Sequence, residues 1–143
     1  MLMLSEPQRD LVRDKGTVFG RVLIGLLFFA SGLSMLLVSG PAGSAMFMES
    51  MGVPLAGIVV WLVMAAKIGA GGAIILGKRV GLAAAVLIGF TVLATLVAHV
   101  SPFDEISVLK NLAIIGGLLY LMAYGPGGSN TTSLATHHDQ GGE

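Results

Sequence analysis

The chain has 143 residues, of which 55% are hydrophobic and only 11% charged, with no cysteine and a formal net charge of zero. That balance is too apolar and too poor in charge for a soluble domain. The absence of thiols excludes disulfides, thiolate chemistry and cysteine-held zinc or iron–sulfur clusters within this chain. The class it points to is all-α: a polytopic membrane protein built as a bundle of four transmembrane helices.

In chain order, residues 1–16 come first. Their "SEPQRDLVRDKG" reads as a short cytoplasmic interfacial helix, with Ser5 as N-cap, Glu6 and Pro7 in the first turn, and charges of both signs. It does not read as a secretory signal, because the apolar block that follows is too long for one and lacks a cleavage site. The membrane domain spans 17–127. Within it, blocks near 18–38, 55–76, 82–100 and 108–124 are long enough, at about 1.5 Å per residue, to cross about 30 Å of hydrocarbon. "SGPAGS" at 39–44 ends the first, "GVP" at 52–54 opens the second, and "GKRVG" at 77–81 turns into the third. "SPFDE" at 101–105 separates the third from the fourth, and "GPGG" at 125–128 closes the domain. The tail, 128–143, has no apolar period and is expected to be disordered.

Basic residues set the orientation. Arg9, Arg13, Lys15 and Arg21 flank the start of the first span, and Lys78 and Arg79 form the link between the second and third. The opposite side holds only Lys110, which places both termini in the cytoplasm and the chain in a bacterial-type plasma (inner) membrane. Arg21, in the first turn of its span, is expected to reach for the headgroups.

For packing, Ala65, Gly69 and Ala73 repeat every four residues on the second span, and Gly81, Ala85 and Gly89 on the third. Small residues at that spacing let helix backbones approach, which matters in lipid because apolar burial between helices gives no driving force there. Gly116 and Gly117 are expected to serve the same end, and Leu87 to face lipid.

The polar residues cluster at the outer side: Glu49, His99, Asp104, Glu105, Lys110 and Asn111. Thr91, Thr95 and His99 share one face of the third span. Each has a bland reading, since threonines bond their own helix carbonyls and Lys110 can anchor at an interface. As a cluster they form a candidate ligand or proton site, because polar groups in spans face the bundle interior or a cavity. Lys67 is the one ionisable group deep inside a span. Burying it charged costs on the order of 3 kcal/mol or more, so it should face the bundle, be neutral, or meet an acceptor. A lysine snorkelling in a wet gap, a ligand or proton-relay group, and a subunit contact are the three readings. Glu49 is its nearest acidic candidate, if the preceding loop folds inward. No metal site is expected: His137, His138 and Asp139 lie on a tail without a third ligand, and His99 has no second histidine in the spans.

"GRVLIGLLFFASG" in the first span, "MGVP" before the second, "GGAIILG" closing it, "ATLVAH" in the third and "LKNLAIIGGLLYLMAYGPG" across the fourth together resemble the DoxX family of small four-helix membrane proteins. The resemblance runs from about Gly20 to Gly127. It implies a subunit of a membrane redox or respiratory complex, either accessory or interacting with quinone, since some DoxX-like proteins resemble membrane subunits of thiosulfate:quinone oxidoreductase. Protein partners in such a complex are therefore expected, quinone is the expected cofactor, and none is expected to be bound covalently. Nothing suggests a nucleic-acid partner. A purely structural subunit is the alternative, and a small-solute transporter the weaker one, as no inverted repeats or broken spans are evident. Family members commonly carry a lysine three residues after the glycine of "SG" and a glutamate ten residues before the glycine that ends the second span. Here those positions hold Met35 and Lys67. On this reading Lys67 or Lys110 polarises a quinone carbonyl, His99 exchanges protons with the outer side, and Asn111, Thr95 and Glu49 complete the candidate set.

Overall fold

A computed structural model describes residues 3–98 and 104–128. Those residues are helical with short turns, and four helices are long and apolar enough to cross a membrane. The first begins at α1 (Glu6–Leu11), where Ser5 N–H donates to Gln8 Oε1 at 2.9 Å in a reciprocal cap. It passes through one π-helical turn, Val12–Gly16, and continues as α2 (Thr17–Leu37) without a break. The interfacial segment is therefore one continuous rod with the first span.

The stretch after α2, expected as a loop, is instead helical: α3 (Gly40–Ser50). Gly40, at φ +70°, makes the turn, and Pro41 sits at the helix start, where its missing N–H costs nothing. The remaining spans are α4 (Ala56–Leu76), α5 (Val80–Ala98) and α6 (Glu105–Tyr124), within three residues of their expected starts. Gly77, at φ +71°, ends α4 with Lys78 N–H on Ala73 O at 2.9 Å and Gly77 N–H on Ile74 O at 3.1 Å. That double closure satisfies two otherwise orphaned carbonyls. Asp104 caps α6 by accepting from Ser107 N–H at 3.1 Å, which gives this residue a local structural task.

The helices pack in chain order. α2 lies chiefly on α4, α4 on α5 and α5 on α6, while α3 covers α4 and the end of α2. α2 and α6 touch only lightly, so the bundle has a weak seam between its first and last spans. One core joins Phe28, Ile74, Val80, Ala84, Leu87 and Leu118; a smaller one joins Ala45, Ala56, Val60 and Met64 under α3.

The small-residue stripes need correction. A Cβ added at Gly69, Gly81 or Gly89 would meet nothing within 4 Å, and Ala85 is exposed. Of the named residues, Ala73 packs against the core. The close approach is made by other glycines. A Cβ at Gly71 would meet Phe29 N at 2.8 Å and Gly25 O at 3.0 Å; one at Gly25 would meet Gly71 O at 2.9 Å; one at Gly32 would meet Lys67 Cβ at 2.8 Å. Gly25, Gly32 and Gly71 thus set the α2–α4 crossing. Gly117 lets Ile24 approach across the seam, whereas Gly116 faces open space. Leu87, expected against lipid, is 0% exposed. A helix apolar all round does not announce which of its faces meets protein.

Candidate functional site

The Gly32 contact lays the stem of Lys67 against the backbone of α2. From there the ammonium reaches two α2 side chains one turn apart: Lys67 Nζ donates to Ser31 Oγ at 2.9 Å and to Met35 Sδ at 3.6 Å. It also lies 5.0 Å from the centre of the Phe90 ring, and Phe90 in turn meets Phe28 edge to face, with ring centres 6.4 Å apart. Lys67 stands about 16 Å along α4 from its first residue, so these contacts are made at mid-bundle depth. The lysine amine there is held by a hydroxyl, a thioether and an aromatic face, and no ion pair reaches it among the described residues.

Lys67, Ser31, Phe28 and Phe90 line a cavity of about 450 Å³, with Met35 outside its wall. α2 contributes Leu27, Phe28 and Ser31, α4 contributes Lys67, and α5 contributes Phe90 and Thr91. From α6 come Lys110, Asn111 and Ile114. Leu27 is about half exposed, so the cavity reaches the lipid-facing surface along the α2–α6 seam. Such a volume falls within the range of about 300–1,000 Å³ usual for small-molecule sites.

The structure brings Lys67, Lys110 and Asn111 of the sequence-derived set to this one cavity, with Thr95 attached through Asn111, whose Nδ2 donates to Thr95 Oγ1 at 2.9 Å. The threonine hydroxyls themselves point back along their helix: Thr91 donates to Leu87 O at 2.7 Å and Thr95 to Thr91 O at 2.6 Å. Their donors are spent locally, while Thr95 still accepts from Asn111. Glu49 is not brought in; it stands exposed on α3, which folds as a helix and does not bend toward Lys67. His99 lies outside the described residues, as do His137, His138 and Asp139.

Sequence reasoning missed Ser31, Phe28 and Phe90. Ser31 carried a usable signal, since it lies one turn before Met35 and so shares its face. The two phenylalanines carried none, being apolar residues in apolar spans.

Arg21 also departs from expectation. Its Nη1 donates to Pro126 O at 2.8 Å, and it packs so closely on Gly77 that a Cβ there would collide with the guanidinium. It ties the end of α4 and the segment after α6 to the start of α2 rather than reaching freely into headgroups.

Residues 16–100, well over half the chain, match the DoxX family. The chain belongs to the DoxX family. Among curated proteins, this DoxX chain is 37% identical over 120 residues to the inner membrane protein YqjF of Escherichia coli (strain K12), covering 81% of this chain and 88% of that one. No solved structure matches it. Met35 and Lys67, the two positions compared with the family pattern in the sequence, are in contact at 3.6 Å.

Proposed function

We propose that this DoxX protein is a subunit of a membrane redox assembly, and that the Lys67 cavity receives the head of a quinone. The supporting observation is the chemistry of the lining. A quinone head is flat and apolar, with two carbonyl acceptors, and the cavity offers ammonium donors from Lys67 and Lys110, an amide at Asn111, and the rings of Phe28 and Phe90. The position at the seam leaves room for an apolar tail to lie in the bilayer beside Leu27.

When bound, a quinone supplies a two-electron, two-proton acceptor; the protein supplies placement. Lys67, steadied by Ser31, donates to one carbonyl oxygen, Lys110 and Asn111 approach the head from α6, and the phenylalanines exclude water from its faces. The basic end formed by Arg9, Arg13, Lys15, Arg21, Lys78 and Arg79 supports an orientation with both termini cytoplasmic, in a plasma membrane like that of the Escherichia coli relative.

The test is gentle detergent extraction of the full chain from its native membrane, followed by quantification of bound quinone and of accompanying proteins. Near-stoichiometric quinone in the wild type, lost in Lys67→Met while the chain stays monodisperse, supports the reading. Partner chains without quinone would replace it with a subunit that only holds an assembly together.

A further inference from the structure

A second cavity, of about 590 Å³, opens at the other end of the α2–α6 seam, separated from the first by the Ile24–Gly117 contact. Its walls are of two kinds. Arg9, Arg13 and Arg21 project into it from the continuous α1–α2 rod, and Leu4, Val12, Ile24 and Leu121 form the apolar remainder. Tyr120 completes the rim.

The three guanidiniums are incompletely used. Arg9 donates to Leu4 O at 3.1 Å and meets Glu6 at 3.4 Å, the one ion pair among the described residues. Arg13 has no side-chain partner among them. Arg21 uses Nη1 on Pro126 O, but its Nε is a buried donor with no acceptor, the one such orphan among the described residues. That donor is closed off from the cavity, so the exposed guanidiniums of Arg9 and Arg13 are the ones an incoming acceptor can reach. The π-helical turn Val12–Gly16 adds a residue to the rod here, and Arg13 rises from that turn. Such turns re-aim side chains and recur at functional sites.

We propose that this cavity binds the phosphate of an anionic phospholipid headgroup, with the glycerol and the upper acyl carbons against the apolar wall. The phosphate accepts from Arg9 and Arg13, the two exposed guanidiniums of the lining, whose planar donors suit it better than an ammonium would. The mixed lining selects a lipid over free phosphate: an inorganic anion would use the arginines and leave Leu4, Val12, Ile24 and Leu121 without a partner. The location agrees, because the cavity lies at the basic end of the bundle, beside Gly77 and Pro126, where spans meet headgroups. This reading is independent of what the Lys67 cavity holds.

The test is native mass spectrometry of the full chain, released from detergent supplemented with either phosphatidylglycerol or phosphatidylcholine of the same acyl chains. The expected result is retained phosphatidylglycerol and little phosphatidylcholine, with apparent affinity falling about tenfold or more in Arg9→Gln/Arg13→Gln. Lys15→Gln/Lys78→Gln removes the same charge from the same end without touching the cavity, and should leave retention unchanged. Equal retention of the two lipids, or equal loss in the two double variants, would overturn the proposal in favour of diffuse attraction. Displacement of the lipid by millimolar inorganic phosphate alone would overturn the lipid in favour of a small-anion site.

Discussion

Replacing Gly71 by alanine should destabilise the bundle far more than the same change two residues earlier, at Gly69. A Cβ at Gly71 would stand 2.8 Å from Phe29 N and 3.0 Å from Gly25 O, both backbone atoms that no rotamer change can move aside. Restoring ordinary contact requires α2 and α4 to part by about half an ångström along their crossing, a shift of the size for which overpacked cores lose about 1–3 kcal/mol. Gly69 has nothing within 4 Å, so alanine there enters open space. Both variants gain the same helix propensity, about 1 kcal/mol, which cancels in the comparison and leaves the crossing as the difference. Thermal unfolding of the two purified variants in one detergent, followed by helical circular dichroism and size exclusion, measures it. Equal midpoints would mean that α2 and α4 do not meet at Gly25 and Gly71, and would refute the packing described here.

Other consequences can be checked with the same preparations. Leu87→Ala should cost about 2 kcal/mol or more through the cavity it leaves, whereas Leu93→Ala, at an exposed position, should change stability by less than about 0.5 kcal/mol; unfolding midpoints separate the two. Lys67→Glu alone should impair quinone retention and stability, since it sets a carboxylate beside Ser31 and Met35, neither of which carries a charge to pair it, and adding Met35→Lys should restore stability. If the single and double variants unfold alike, the contact between these two side chains is wrong. Arg21→Met should lower stability by less than the roughly 1.5–3 kcal/mol of a charge-assisted bond, because the loss of the bond to Pro126 O is offset by removal of the unpartnered Nε donor, again read from the midpoint. A reporter fused after Gly127 should be cytoplasmic, and one inserted at the Gly52 turn external; the opposite pair would invert the orientation.

Much of this architecture was legible in the sequence because lipid leaves few options. A span must satisfy its own backbone and be apolar for about 20 residues, so the four long helices stand out from hydropathy and turn residues alone. α3 did not stand out, because "SGPAGS" contains the residues of a turn; the detail that decides otherwise is Pro41 at a helix start, where proline is as much at home as in a loop. The packing faces were hidden for a different reason. Small residues recur on several faces of α4 and α5, and in an apolar helix only the partner's shape selects Gly71 over Gly69.

The site was legible where polarity is rare. Lys67, Lys110, Asn111 and Thr95 each stood out against an apolar background, and the structure gathers them at one cavity. Met35 and Lys67, singled out separately in the sequence, prove to touch across the α2–α4 crossing. Glu49 was misleading because its distance from Lys67 depended on a loop that is in fact a helix. Arg21 was misleading because its acceptor, the Pro126 carbonyl, lies 105 residues away and leaves no local trace.

The central claim, a quinone head against Lys67 at the α2–α6 seam, is tested most directly by photolabelling. The full chain in native-lipid nanodiscs, illuminated with an azidoquinone and digested, should carry the label on peptides containing Ser31, Phe90 or Asn111. Labelling should fall in Lys67→Met and compete with unlabelled quinone. Label spread over lipid-facing positions such as Trp61 and Leu93, unchanged by competitor or by Lys67→Met, would contradict the account.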